Sequence, residues 1–370
     1  MIALSLFATT SCVQTFDQAN LNYSSQEPLK VGLLLPYGSK IQGDYELALS
    51  LENAARLALS DIAKNKIELL VYGTESDPSI AAEAAKKAVE SGAKIIIGPL
   101  RSNVANAVAV AIEPTKINIL TFSNNSAVAG GNLFLLGTSF ESVADRLTKY
   151  AENNKLDRWI VANPSDQEGK FAIKTITEAA QGNNVSIIGE VSYELNPESI
   201  VSAIPKIKDL IDETKANVIM LTSNSAGALQ LLGELLPEQG VDPKIIKYIG
   251  LARWDVSKRT MALPGLQGGW FALPDPYLAS QFNIRYKTIH DTSPHQLASL
   301  AYDAVALIGA LVEKNKNMSA KSLTHSSGFL GVNGLFRLKK DGTNQRALSV
   351  ATINNNKVEV IGAAPRSFGP

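Results

Sequence analysis

From Lys30 onward, short apolar runs alternate with longer stretches whose apolar residues recur at helical spacing, a grammar that points to an α/β chain. Residues 30–35 form an apolar run closed by Pro36. Leu47, Leu51, Ala54, Ala55, Ala58 and Ile62 then fall on one face of a helix predicted over 45–63. Further strands are predicted at 67–72, 93–97, 117–122 and 133–136, with helices at 80–90 and 102–112. Parallel neighbours need a crossover, so strands separated by helices imply a mainly parallel, doubly wound sheet covered on both faces.

The same grammar restarts after residue 139. Helices are predicted at 142–152, 169–181, 197–213 and 226–236, and strands at 159–162, 185–191, 217–221, 246–250 and 269–272. Two sheets of about five strands each fit better than one of about ten, because strongly twisted open sheets seldom grow that large. Phe271-Ala-Leu-Pro-Asp-Pro276 reads as an extended connector leading to helices at 277–290 and 294–314. The end differs: 335–338, 346–353 and 357–361 read as antiparallel ribbons joined by a Lys339-Lys340-Asp341-Gly342 turn and an Asn-rich turn. The expected architecture is two Rossmann-like lobes between which the chain crosses more than once. Residues 29–139 and 277–329 would form the first lobe, and 140–276 and 330–370 the second.

Composition then removes several functions. Thirty-five Lys plus Arg balance thirty-five Asp plus Glu across 370 residues with no dense basic run, so no nucleic-acid partner is expected. The single cysteine, Cys12, excludes an internal disulfide or a structural Cys-type zinc site. Residues 1–12 are an apolar opening that ends at that cysteine, and 13–28 read as a polar tether. This segment resembles the end of a bacterial lipoprotein signal peptide. The resemblance implies lipidation of Cys12, a place in the cell envelope, on the periplasmic side, and membrane attachment through the lipid anchor alone; the alternative is a free thiol. Gly-x-Ser-x-Gly, a phosphate-binding Gly-Lys loop, Gly-x-Gly-x-x-Gly and His-Glu-x-x-His are all missing from the sequence. His290, His295 and His325 lie apart from the strand-end loops, and are expected at helix ends or on the surface. No catalysis, cofactor or metal is expected.

In an open parallel sheet, ligands bind outside the carboxyl ends of the strands. Gly98-Pro-Leu-Arg-Ser-Asn103 occupies such a place: a strand end, a turn, and a helix start whose unpaired N–H groups favour an anion. Arg101 could add a full charge there, while Ser102 and Asn103 either contact a ligand or cap the helix. A second loop, Phe122-Ser-Asn-Asn-Ser126, presents Ser123, Asn124 and Asn125 at the same edge. Asn224, in Thr222-Ser-Asn-Ser225, is polar enough to line a cleft from the other lobe.

Several motifs, in order, resemble the leucine/isoleucine/valine-binding branch of the type I periplasmic-binding fold. They are Lys30-Val-Gly-Leu-Leu-Leu-Pro36, Asn53-Ala-Ala-Arg-Leu-Ala58, Asp77-Pro78 before Ala81-Ala-Glu-Ala-Ala-Lys86, Ile96-Ile-Gly-Pro-Leu-Arg-Ser102, Ser299-Leu-Ala-Tyr-Asp-Ala-Val305 and the Gly-rich stretch 328–336. The resemblance implies a hinge and a cleft between the two lobes, and a non-enzymatic protein that captures a small polar ligand, an amino acid or related compound, in that cleft. Two groups share the fold: solute receptors that serve the membrane permeases of ABC importers, and lipoproteins that activate penicillin-binding proteins, where the partner is a peptidoglycan synthase and the cleft either is vestigial or holds a cell-wall fragment.

In those receptors the residue matching Ser102 holds the amino-acid carboxylate, and Ser123 and Asn124 match the second binding loop. The facing lobe departs from the pattern. Glu168 stands where Tyr is typical, and the loop after Gly250, which usually supplies an acid for the ligand's ammonium, reads Leu251-Ala-Arg-Trp-Asp255. Arg253 would repel an ammonium, leaving Glu168 or Asp255 as acceptor, while Trp254 either packs inside or stacks on a ligand. Simple branched-chain amino acids are therefore expected to bind poorly.

Overall fold

A computed structural model describes residues 27–224 and 227–368. Cys12 and the signal-like segment lie outside them. The first lobe starts β1 (Leu29–Leu35), α1 (Asp44–Ile62), β2 (Ile67–Gly73), α2 (Pro78–Glu90), β3 (Ile95–Ile97), α3 (Ser102–Ile112), β4 (Ile119–Thr121) and β5 (Leu133–Leu135). The five strands are parallel, in the order β2-β1-β3-β4-β5. Successive residues of a strand point to opposite faces, and the burial follows that period. Leu33, Leu35, Ile95 and Ile97 enter one hydrophobic cluster, while Leu34 and Ile96 enter another across the sheet. A run apolar at every position is what a strand covered on both faces requires.

The second lobe continues with α4 (Phe140–Asn153), β6 (Arg158–Pro164), α5 (Gln167–Gly182), β7 (Ser186–Tyr193), α6 (Pro197–Thr214), β8 (Val218–Leu221), α7 (Leu229–Glu238), β9 (Lys247–Gly250), α8 (Lys258–Met261) and β10 (Trp270–Leu273). Its parallel part has the order β7-β6-β8-β9-β10, the same pattern as the first sheet. Ile160 and Ile219 face one cluster, Trp159 and Val218 the other.

The chain then returns to the first lobe. In α9 (Pro276–His290) and α10 (Ala298–Glu313), Phe282, Tyr286, Ala301 and Leu307 join the cluster that holds Leu51 of α1. After α11 (Ala320–Leu323), β11 (Phe329–Gly331), β12 (Gly334–Leu338) and β13 (Asn344–Arg346) form a small antiparallel sheet. β14 (Ser349–Asn354) and β15 (Lys357–Gly362) add two antiparallel strands to the second sheet, which thus has seven.

Two expectations differ here. The single strand read over 346–353 is two strands in different sheets, separated at Ala347-Leu348. The division at residue 330 falls inside the small sheet, because β12 buries alternate residues and its Phe336 and Leu338 pack with Leu33 and Leu51 of the first lobe. The lobes are joined at three places, residues 136–139, 274–275 and 347–348.

Candidate functional site

The carboxyl ends of both parallel sheets open on one cleft of about 870 Å³. Its first-lobe wall comes from the turns after β3 and β4, with Leu100, Arg101, Ser102, Asn103, Ser123, Asn124 and Asn125. Its second-lobe wall includes Asn224, Leu251 and Arg253. Gly137, Thr138, Leu273, Pro274 and Leu348 bring all three connections to its floor, and Gln296, Ser299 and Asn333 complete it. No Asp or Glu lines the cleft among the described residues.

The turn into α3 depends on Gly98, which has φ of 89°. A Cβ there would sit 2.2 Å from the Leu34 carbonyl oxygen, so only glycine lets this loop lie against β1. The helix then starts without a side-chain cap: Arg101 is the residue before it, and Ser102 is its first residue. By contrast Asp77, Ser139, Asp166 and Asn196 cap α2, α4, α5 and α6. Ser102 is thus not the cap of its own helix. The first-turn N–H groups and the Ser102 hydroxyl remain available at the cleft wall.

Arg101 has another task. Its guanidinium donates to both Asp44 carboxylate oxygens, at 3.0 and 2.9 Å, and to the Ser76 hydroxyl at 2.7 Å. Burial raises the Asp44 carboxyl, but hydrogen bonds from Arg101, Ser39 and Ser76 outweigh it and hold the group below the usual range. The expected free cation is therefore already neutralised, and it braces the turn after β1 against the turn after β3. Arg253 is likewise held, donating through Nε and Nη2 to Asp255 at 2.9 and 2.6 Å. That pairing removes Asp255 as a ready ammonium acceptor.

Two expected contacts lie elsewhere. Trp254 is fully buried, stacked at a tilt on Phe271 with ring centroids 5.7 Å apart and seated under Gly250. A Cβ at Gly250 would come within 2.3 Å of its indole, so the glycine makes room for the ring inside the core. It offers no platform to a ligand. Glu168, exposed in the first turn of α5, faces a separate recess of about 50 Å³ with Asp166, Thr222 and Ser223, outside the cleft lining. Asn224 borders both spaces. Ser123 and Asn125 line the cleft but also stabilise their own loop: the Ser123 hydroxyl accepts from the Asn125 N–H, and Asn125 Oδ1 accepts from the Ala127 N–H.

A family model described as periplasmic binding protein matches residues 28–357. The chain belongs to the periplasmic binding protein family. A curated relative, the uncharacterized protein RP748 of Rickettsia prowazekii (strain Madrid E), is 29% identical over 271 residues, covering 69% of this chain and 70% of the relative. Among solved structures, a Rhodospirillum rubrum protein provisionally assigned to a branched-chain amino acid ABC transporter superimposes with a TM-score of 0.77 at 16% identity, over 90% of this chain and all of the other. An ABC transporter solute-binding protein from R. palustris in complex with benzoate gives 0.61 at 18% identity, over 93% and 98% of the two chains. At these identities the structural matches show the shared fold, two lobes about a cleft.

Between the lobes, this periplasmic binding protein carries polar residues that the strand-end argument missed. Asp303, fully buried in α10, accepts from Arg346 Nη1 at 3.0 Å, from the Val332 N–H at 2.8 Å and from Asn333 Nδ2 at 3.1 Å. Burial pushes its carboxyl upward; the Arg346 charge and these three donors oppose that push. Arg346, equally buried, also donates through Nε and Nη2 to the Leu136 carbonyl at 2.9 and 2.7 Å, and Asn344 Nδ2 reaches the Leu135 and Gly137 carbonyls at 3.0 and 2.7 Å. The first interlobe connection is thereby held to β13, the strand that leads into the third. One signal was visible: Asp303 is the only charged residue between Ala298 and Val312 of α10, and such a residue on a buried helix needs a buried partner.

No helix among the described residues is long and apolar enough to cross a membrane.

Proposed function

We propose that this binding protein is a solute receptor whose cleft takes a small carboxylate with an uncharged body, for delivery to a membrane importer. The observation that carries the reading is the charge of the cleft. Its lining has no acidic side chain and its two arginines are already paired, while the uncapped start of α3 presents N–H groups and the Ser102 hydroxyl. A carboxylate finds donors there; an α-ammonium would be desolvated without a counter-charge, at a cost of several kcal/mol. Leu100, Phe122, Phe140, Val143 and Leu297 suit an apolar or aromatic body. The fold-mates set out both options, since one is assigned to branched-chain amino acid transport and another holds benzoate, an acid without an ammonium. The cleft chemistry here favours the second. Nothing observed favours activation of a peptidoglycan synthase.

A lipid on Cys12 would hold the receptor at the membrane that houses its importer. Cys12→Ser should then move the protein from the membrane fraction to the free one.

The deciding experiment is calorimetry with benzoate and with leucine, isoleucine and valine. Benzoate should bind more tightly than any of the three, and at a hundred times its dissociation constant should add about 2.7 kcal/mol of stability. Micromolar affinity for leucine with none for benzoate would overturn the reading.

A further inference from the structure

Asn333 stands between the cleft and the hinge. Its side chain is buried but for a small face toward the cleft. Its Nδ2 donates to the Ser299 hydroxyl at 2.9 Å, also at the cleft wall, and to Asp303 Oδ2 at 3.1 Å. The same Asp303 oxygen takes the Arg346 guanidinium, which holds the Leu136 carbonyl in the first interlobe connection. The other Asp303 oxygen takes the Val332 N–H, and the turn is pressed so closely onto it that a Cβ at Gly331 would come within 2.0 Å. From cleft surface to hinge carbonyl there are only four side chains, each within hydrogen-bond distance of the next and each nearly or wholly removed from solvent. In such a setting a polar group that loses its partner is costly, so its members move together.

We propose that the Ser299 hydroxyl, held in place by Asn333, contacts the bound solute, and that Asp303 is the positioning residue that ties solute occupancy to the angle between the lobes through Arg346. The inference rests on the receptor reading for its solute contact but not for its hinge contact. Both Asn333 Nδ2 protons are already given to Ser299 and Asp303, so a solute carboxylate accepts from the Ser299 hydroxyl, in place of its long 3.4 Å bond to the Gln296 carbonyl, and the pull is passed through Asn333 to Asp303 and on to the Leu136 carbonyl. The connection, held besides by the Leu136 N–H on the Thr121 carbonyl at 2.8 Å and by Asn344 on the Gly137 carbonyl, is thereby biased toward one setting. Coupling of this kind requires a contact that differs between the two settings, a role this inference gives to the grip of Arg346 on the Leu136 carbonyl.

The test uses the full chain with Cys12→Ser, which leaves no native thiol. Cysteines placed at the exposed Glu90 and Glu178, one per lobe, carry spin labels for interlobe distance measurement. Without any solute, Asp303→Asn and Arg346→Lys should each broaden the distance distribution relative to the parent; distributions that match the parent overturn the hinge role. With benzoate as probe, the parent distribution should narrow. Asn333→Ala, which takes a donor from the buried Asp303, should lower the denaturation midpoint; under conditions where it stays folded it should also weaken benzoate at least tenfold and leave the distribution broad at benzoate concentrations that close the parent. Unchanged affinity in Asn333→Ala overturns the solute contact. A parent that neither binds benzoate nor narrows with it counts against the carboxylate reading, while the solute-free measurement still judges Asp303. Should Asp303→Asn fail to fold, Arg346→Lys, which keeps the charge and loses the forked grip on Leu136, decides the hinge arm.

Discussion

Arg346 and Asp303 meet at 3.0 Å with side chains 1% and 0% exposed, and they join the strand that leaves the small sheet to a helix of the first lobe. Every acceptor around the guanidinium is a group that cannot turn to water. A buried ion pair is weak evidence of net stabilisation, yet removing one partner leaves an uncompensated charge.

Arg346→Met should therefore lower unfolding stability by about 3–5 kcal/mol, read from urea titration. Adding Asp303→Asn to it should cost less than the two single changes summed, because the second change removes the stranded anion. Additive losses would show that the two side chains act independently and that the pair is incidental.

The pairing of Arg101 with Asp44 gives a pH signature. The Asp44 carboxyl is held below its ordinary value of 3.8 in the fold, so the unfolded chain binds more protons near that pH. Stability from this pair is fully present above 3.8 and is lost as pH falls through the lower, folded value. Arg101→Ala should cost about 2 kcal/mol at pH 7, since the guanidinium hydrogen bonds reach a nearly buried carboxylate, and its deficit against the parent should shrink at pH 3. A deficit equal at both values would place the loss in packing and not in charge.

Much of this fold was legible because the signals are local. The unbroken apolar runs around Leu34 and Ile96 announced strands buried on both faces, and the Ala-rich period of α1 and α2 announced their helices. What stayed hidden depends on partners distant in sequence. Nothing near Arg101 reveals that Asp44 will claim it, and nothing near residue 346 reveals that the chain changes sheets there, a switch imposed by tertiary pairing with β12 and β10. The site followed the same division. Ser102 and Asn103 were placed by a strand-end rule and do line the cleft, whereas Trp254 and Glu168 were placed by analogy between loops, and the local packing under Gly250 and at the start of α5 sends them elsewhere.

Trp254 offers a direct check on that packing. Its indole N–H is buried without a hydrogen-bond partner, so Trp254→Phe removes an unsatisfied donor while giving up some volume. The two effects oppose, and the expected change in stability is within about 1.5 kcal/mol. Solute affinity should not change. Gly250→Ala, which drives a methyl into the ring, should be far more damaging than Trp254→Phe. A Trp254→Phe protein that folds normally but loses benzoate would return the ring to the binding site.

The last expectation concerns Ser102. As the first residue of α3 and not its cap, it gives no hydrogen bond that the helix start requires, so Ser102→Ala should leave the melting temperature unchanged. Its hydroxyl and the neighbouring N–H groups are the donors that the cleft presents to an anion, and loss of the hydroxyl from a carboxylate contact should weaken benzoate more than tenfold, roughly 1.4 kcal/mol. Arg101→Ala should behave in the opposite way, with a lower melting temperature and a smaller change in affinity, because its charge is spent on Asp44. Paired thermal and calorimetric measurements on the two variants separate these roles. If Ser102→Ala melts early and binds normally, the residue serves the helix; if Arg101→Ala folds normally and loses the solute, the carboxylate is bound by the guanidinium and Asp44 merely stores it.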